Sequence, residues 1–254
     1  MRKTGTEVLG EAEYAWFLIE RIEDSISQIS DHVEPETVNL NVYSRQIALK
    51  LYEVGTLVEA MIKRIVNDDA LDSFHNLENI LREARGQSGQ YPTIRSYRNV
   101  LEPVFAMSKR TVNFRLFTFS MNLQPFASFA NEEDISPQWW EAYNLVKHDF
   151  FLNLPKATFQ RLIEGAGALF LLTVLCKSHW PVLLLHNRLV TGSLRDGTLV
   201  RDRFRMDQEK LYKKLHEIFL PHLGITMPDY GAPMEILANS RLFFSHLAHW
   251  EPSK

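Results

Sequence analysis

Cysteine is almost missing from this chain: Cys176 is the only one, so no disulfide can form within it. That predicts a reducing, cytoplasmic setting, and a lone thiol is a poor start for a metal site. A basic excess is missing as well. The formal net charge is -3, so contact with nucleic acid or an anionic membrane would need a local patch. Long hydrophobic runs are also lacking. The most apolar stretch, GAGALFLLTVLC from Gly165 to Cys176, falls short of the roughly 20 residues that cross a bilayer and reads as a buried helix. The first twenty residues carry acids where a signal peptide needs an apolar core, which predicts against secretion.

Metal and phosphate signatures are absent too. None of the nine histidines stands at an H-x-x-x-H spacing, and there is no HExxH or CxxC motif. His246 and His249 form the nearest helical pair, at i and i+3, and read as cap or surface residues. GQSGQ has neither the spacing nor the preceding strand of a phosphate loop, and GAGA reads as a device for close helix packing. The expectation is therefore no metal and no cofactor.

What is present is ordinary globular material: 254 residues, 45% hydrophobic and 23% charged, enough for a sizeable core in one or two domains. Helical periodicity dominates. Trp16, Ile19, Ile22 and Ile26 mark one stripe within 12–29; Ile47, Leu51, Val54, Val58, Met61 and Ile65 mark a longer one within 42–65, after a loop at HVEPETVN. A shorter amphipathic segment covers 73–85 and stops at GQSGQYP. The spacing predicts a helix over 96–119 in which Pro103 either kinks the chain or opens a new helix. Arg98, Lys109, Arg110 and Arg115 make this the most basic region.

In SPQWWEAYNLVKHDFFLNLP, Ser136 can cap and Pro137 can take the first helical position, with Asn153 and Pro155 as the stop. Another helix is expected over 156–177, ending at HWPV. Thereafter the character changes. LLLHNRLVTGSLRDGTLV suggests a short hairpin or an irregular arm with glycine turns at TGS and RDGT, and two further helices are expected over 207–219 and 234–249. The organisation expected is an N-terminal helix over 1–35, a helical bundle over 36–180 and a mixed C-terminal extension over 181–254. The fold class is mainly α.

At about 100° per residue, Trp139, Tyr143, Val146 and Phe150 share one side of the tryptophan-led helix, while Trp140, Asn144, Lys147, His148 and Phe151 gather on another. An amide, an ammonium and an imidazole within about one turn can converge on an anion. Asn144 and His148 can equally satisfy buried hydrogen bonds, and Lys147 can reach water or pair with an acid.

AYNLVKHDF, followed by the small and apolar helix LIEGAGALFLLTVL, resembles the histidine helix of HEPN-type domains, all-α bundles found in prokaryotic toxins and abortive-infection systems. The family motif is an arginine, a polar residue, three variable positions and a histidine. Here Tyr143 occupies the arginine position, Asn144 the polar one and His148 the histidine. The resemblance implies a homodimer whose groove binds RNA or a nucleotide, metal-independent RNA cleavage with His148 as general acid/base, and Asn144 and Lys147 holding phosphate. It also admits an antitoxin-like protein partner. Tyr143 cannot supply the guanidinium charge of the family motif, so the same resemblance equally implies a non-catalytic binding or adaptor protein with a protein partner. Trp140, Arg161 and Arg110 are the further candidate ligand contacts.

Outside that helix, Phe114, Phe117 and Phe119 beside Arg110 and Arg115 can stack bases or fill a core. RDGTLVRDRFR from Arg195 to Arg205 is the other candidate for phosphate contact, or a solvated turn.

Overall fold

The computed structural model describes residues 5–66, 93–131, 136–176, 179, 189–195, 198–201, 234–239 and 244–250. The expected helices at 73–85 and 207–219, the GQSGQYP break, most of HWPV, and Arg203 and Arg205 lie outside them.

The described residues are mainly helical. Helix α1 spans Gly5–Ser30 and α2 spans Arg45–Val66. Both expected stripes are buried, Trp16, Ile19, Ile22 and Ile26 in α1 and Ile47, Leu51, Val54, Val58, Met61 and Ile65 in α2. Helix α2 starts later than the apolar pattern does, because the Ser44 hydroxyl accepts from the Ile47 amide at 3.1 Å and caps the end there. Helix α3 (Ile94–Phe105) begins at Thr93, whose side chain forms a capping box with Ser96. The helices α4 (Gln138–His148) and α5 (Phe150–Asn153) follow, and then α6 (Phe159–Leu175), capped by Thr158.

Helix α6 is the centre of the bundle and packs on α2, α1 and α4. Its run from Gly165 to Val174 carries no charge and is buried throughout, as a stretch apolar on every side requires. Gly165 lets it approach closely: a Cβ there would stand 3.2 Å from Val54 Cγ1 and 3.3 Å from the Trp139 ring. The close-packing reading of GAGA holds at that glycine.

Three expectations are corrected. The helix expected to reach Phe119 ends at Phe105, where Ala106 turns left-handed (φ 48°); Pro103 falls in its last turn. Beyond it β1 (Val112–Leu116) and β2 (Phe119–Leu123) form a hairpin. The reason is alternation: Val112, Phe114 and Leu116 are buried while Asn113 and Arg115 are exposed, a period of two that no helix can bury on one side. The helix expected over 234–249 is instead the strands β5 (Met234–Asn239) and β6 (Phe244–Trp250), paired antiparallel. A hairpin of β3 (Leu189–Arg195) and β4 (Thr198–Arg201) forms as suggested, with Arg195 opposite Thr198, but TGS lies inside β3 and makes no turn.

The six strands make one antiparallel sheet in the order β2-β1-β6-β5-β3-β4. It meets the bundle where α6 contacts β1 and β6.

Candidate functional site: the α4–α5 turn

Helix α4 starts one residue later than its sequence suggests. Pro137 occupies the cap position without a side-chain hydrogen bond, and Ser136 lies outside. The end also moves. Asp149 leaves helical geometry (φ -147°, ψ 95°) and caps α5, its carboxylate accepting from the Leu152 amide at 3.1 Å. Asn153 does take part in the stop, though not as the breaker: its side-chain amide donates to the Leu145 and Asp149 carbonyls, both at 3.0 Å. The same two carbonyls accept the backbone amides of Asp149 and Asn153, at 3.0 and 3.2 Å, so the Asn153 side chain reinforces the turn at both of them.

The core side is aromatic, as the face pattern predicts. Trp139, Tyr143 and Val146 are buried and Phe150 is half-buried. The Trp139 indole donates to the Pro125 carbonyl at 2.7 Å. Phe126, Trp139, Trp140 and Tyr143 follow one another in edge-on contacts of 5.9, 5.6 and 5.4 Å between ring centroids. Trp140, a candidate ligand contact from sequence, is part of this buried series.

Tyr143 is fully enclosed. Its ring lies in the notch left by Gly55 on α2, and its hydroxyl has no hydrogen-bond partner. The Lys147 ammonium stands 5.2 Å from the centre of that ring and 3.0 Å from the Glu59 carboxylate. Burial opposes the charge on Lys147, but the nearby Tyr143 oxygen, which lies outside hydrogen-bond geometry, and the Glu59 carboxylate outweigh it and hold the ammonium above its ordinary pKa. Burial, assisted by the charge of Glu59, likewise raises the pKa of Tyr97 on α3.

The remaining sequence candidates separate. Asn144 is half-buried and His148 exposed, both on the outer side of α4. Arg161 binds Glu164 at 2.8 Å and the side-chain oxygen of Gln138, tying the start of α4 to α6 at the far end from His148. Arg110 is half-buried, its Nε donating to the Phe105 carbonyl at 2.9 Å at the end of α3, and burial lowers its pKa. Lys147 is thus the one candidate joined to Tyr143 by charge, and Arg161 and Arg110 serve helix ends.

Sequence reasoning missed Glu59 and Gly55, which meet α4 only through the fold. It placed Phe151 on the second face of the helix but did not single out the exposed apolar side chains there: Phe151 is 90% and Leu152 76% exposed, with Leu145 nearby at 42%. The available signal was an apolar pair placed between a helix-capping aspartate and a clamping asparagine.

No protein-family model, curated protein or solved structure matches this chain. Among the described residues no group of His, Cys, Asp and Glu is placed to hold a metal ion, and no helix is long and apolar enough to cross a membrane. His246 and His249 stand on the strand β6 and not on a helix.

Proposed function

We propose that this chain is a non-catalytic helical binding protein of HEPN-like build, and that its α4–α5 turn takes a protein partner. One observation carries the reading: Phe151 and Leu152 are 90% and 76% exposed on a turn fixed by Asp149 and Asn153. Exposed apolar side chains on a fixed support lose little conformational freedom on docking, which is what makes an anchor. A phenylalanine carries roughly 150–250 Å² of contact area, and Phe151, Leu152 and the nearby Leu145 together fall short of the roughly 800 Å² per side of a stable interface. The partner is accordingly a different protein that supplies a pocket, and the association is transient.

The surroundings of the motif support the absence of catalysis. Tyr143, at the arginine position, is enclosed by α2, and the charge of Lys147 is met by Glu59. Neither group offers free positive charge to a phosphate in a transition state.

Photo-cross-linking in cells from benzoylphenylalanine at position 151 tests the reading. The expected product is a covalent adduct with a different protein, lost when Leu152→Asp is added to a chain that still folds. An adduct formed only between two copies of this chain would replace the reading with a homodimer. A second reading, RNA cleavage at His148, is favoured by the exposure of that imidazole next to Asn144, and is tested separately by RNA cleavage in EDTA.

A further inference from the structure

The β1–β2 hairpin has two unlike faces. Val112, Phe114, Leu116 and Leu123 are buried on one. On the other, Asn113 lies opposite Asn122 and Arg115 opposite Ser120, and all four are exposed. Residues directly opposite in a ladder share a face, so Asn113, Asn122, Arg115 and Ser120 form one polar patch on the hairpin.

The tip bears an aromatic that the core does not take. Of the three phenylalanines in this region, Phe114 is buried and Phe119 half-buried, whereas Phe117 is 71% exposed. Its backbone is left-handed, φ 52°, a conformation in which glycine or asparagine is favoured over an aromatic residue. Neither packing nor turn geometry therefore accounts for a phenylalanine at this point.

Charge indicates the class of ligand. From Pro103 to Asn131 there is no Asp or Glu, while Lys109, Arg110 and Arg115 are all present, in a chain of net charge -3. Arg110 is committed to the Phe105 carbonyl, but Lys109 and Arg115 are exposed. The preceding acid, Glu102, is turned onto Ser108, accepting from its amide at 2.8 Å and from its hydroxyl at 2.5 Å. A hairpin face of amides and a hydroxyl, with an exposed guanidinium, no acid between Pro103 and Asn131 and a projecting aromatic ring, complements a chain of phosphates and unpaired bases.

We propose that this face binds a single-stranded oligonucleotide. Phe117 stacks on a base, Arg115 meets the backbone phosphate, and Asn113, Ser120 and Asn122 bond to base edges or sugar. Stacking on Phe117 requires an unpaired base, so a duplex is excluded. The site is separate from the α4–α5 turn and does not depend on the reading given for it.

Fluorescence anisotropy with the full chain tests this, using fluorescein-labelled twelve-nucleotide poly-U RNA, oligo-dT of equal length and an RNA duplex, between 50 and 200 mM salt. Binding of the single strands, weakening as salt rises and exceeding that of the duplex, is expected. Equal affinity for RNA and DNA places recognition on phosphate and base, and tighter RNA binding adds the ribose hydroxyl; either supports the proposal. Phe117→Gly is the decisive variant. It should weaken binding by about tenfold through lost stacking, while its melting temperature stays the same or rises, because glycine relieves the left-handed backbone. Arg115→Gln should lower the slope of log affinity against log salt by about 0.7, the contribution of one phosphate contact to a single strand. Wild-type affinity in Phe117→Gly, preference for the duplex, or binding to anionic phosphatidylserine vesicles without binding to the oligonucleotides would each overturn the proposal.

Discussion

Gly55 and Tyr143 are a matched pair: the ring of one fills the space that a side chain on the other would occupy. This contact, between helices almost ninety positions apart in sequence, seats α4 against α2. Gly55→Ala should therefore cost about 1–3 kcal/mol, the usual range for overpacking a core, despite alanine's better helix propensity. Tyr143→Phe should leave stability unchanged or raise it by about 1 kcal/mol, because it removes a buried hydroxyl that has no partner. Tyr143→Arg, which restores the family motif, should unfold the protein or severely weaken it by enclosing a guanidinium. Thermal melts of the three variants check the order.

Stability should fall at alkaline pH. Lys147 and Tyr97 both have folded pKa values raised above their ordinary 10.5 and 10.0. For each, the fold binds the proton more tightly than the unfolded chain does. The contribution is fully present below the ordinary value and disappears as pH rises through the folded one. Urea midpoints should be level from pH 7 to about 9.5 and decline above pH 10. Tyr97→Phe should flatten that decline, and Lys147→Met should change stability at pH 7 by less than about 1 kcal/mol, since its pair with Glu59 is partly exposed.

The helices of the bundle were legible in the sequence wherever burial followed a 3.6-residue period. The stripes of α1 and α2 and the uncharged run of α6 are direct statements of which side is dry. The hairpin at 112–123 was not legible as such, because Phe114, Phe117 and Phe119 suggest helical spacing when taken without the Val112, Phe114, Leu116 alternation. The strands β5 and β6 were missed for a related reason: MEILAN and FSHLAHW are short apolar runs whose length and composition suit either element. The identity of Tyr143, Asn144, Lys147 and His148 as neighbours on one helix was visible, but their environments were not. Glu59 and Gly55 reach α4 through tertiary packing, which no local pattern encodes.

Asn153 is the residue that holds the proposed anchor in place. Asn153→Ala removes both side-chain hydrogen bonds to the Leu145 and Asp149 carbonyls. It should cost about 1 kcal/mol, as loss of a helix cap does, with the effect confined to the turn. Hydrogen exchange should accelerate at the amides of Phe150 to Leu152 and stay unchanged in α2 and α6. Cross-linking from position 151 should fall in the same variant, because Phe151 and Leu152 would then pay an ordering cost on docking.

His148 separates the binding reading from the catalytic one. It is exposed at the last position of α4, so His148→Ala removes little packing and should change stability by less than about 0.5 kcal/mol. Purified wild type and variant, both verified as folded by circular dichroism, are incubated with total cellular RNA in EDTA. The expected result is no cleavage that depends on His148, because the enclosed Tyr143 and the paired Lys147 leave the imidazole without a neighbouring charge to stabilise a phosphorane-like transition state. Cleavage by the wild type that the variant loses would instead make His148 a general acid/base. The transition-state charge would then have to come from an arginine of a second copy, and mixing His148→Ala with a surface-arginine variant would identify it by recovered activity.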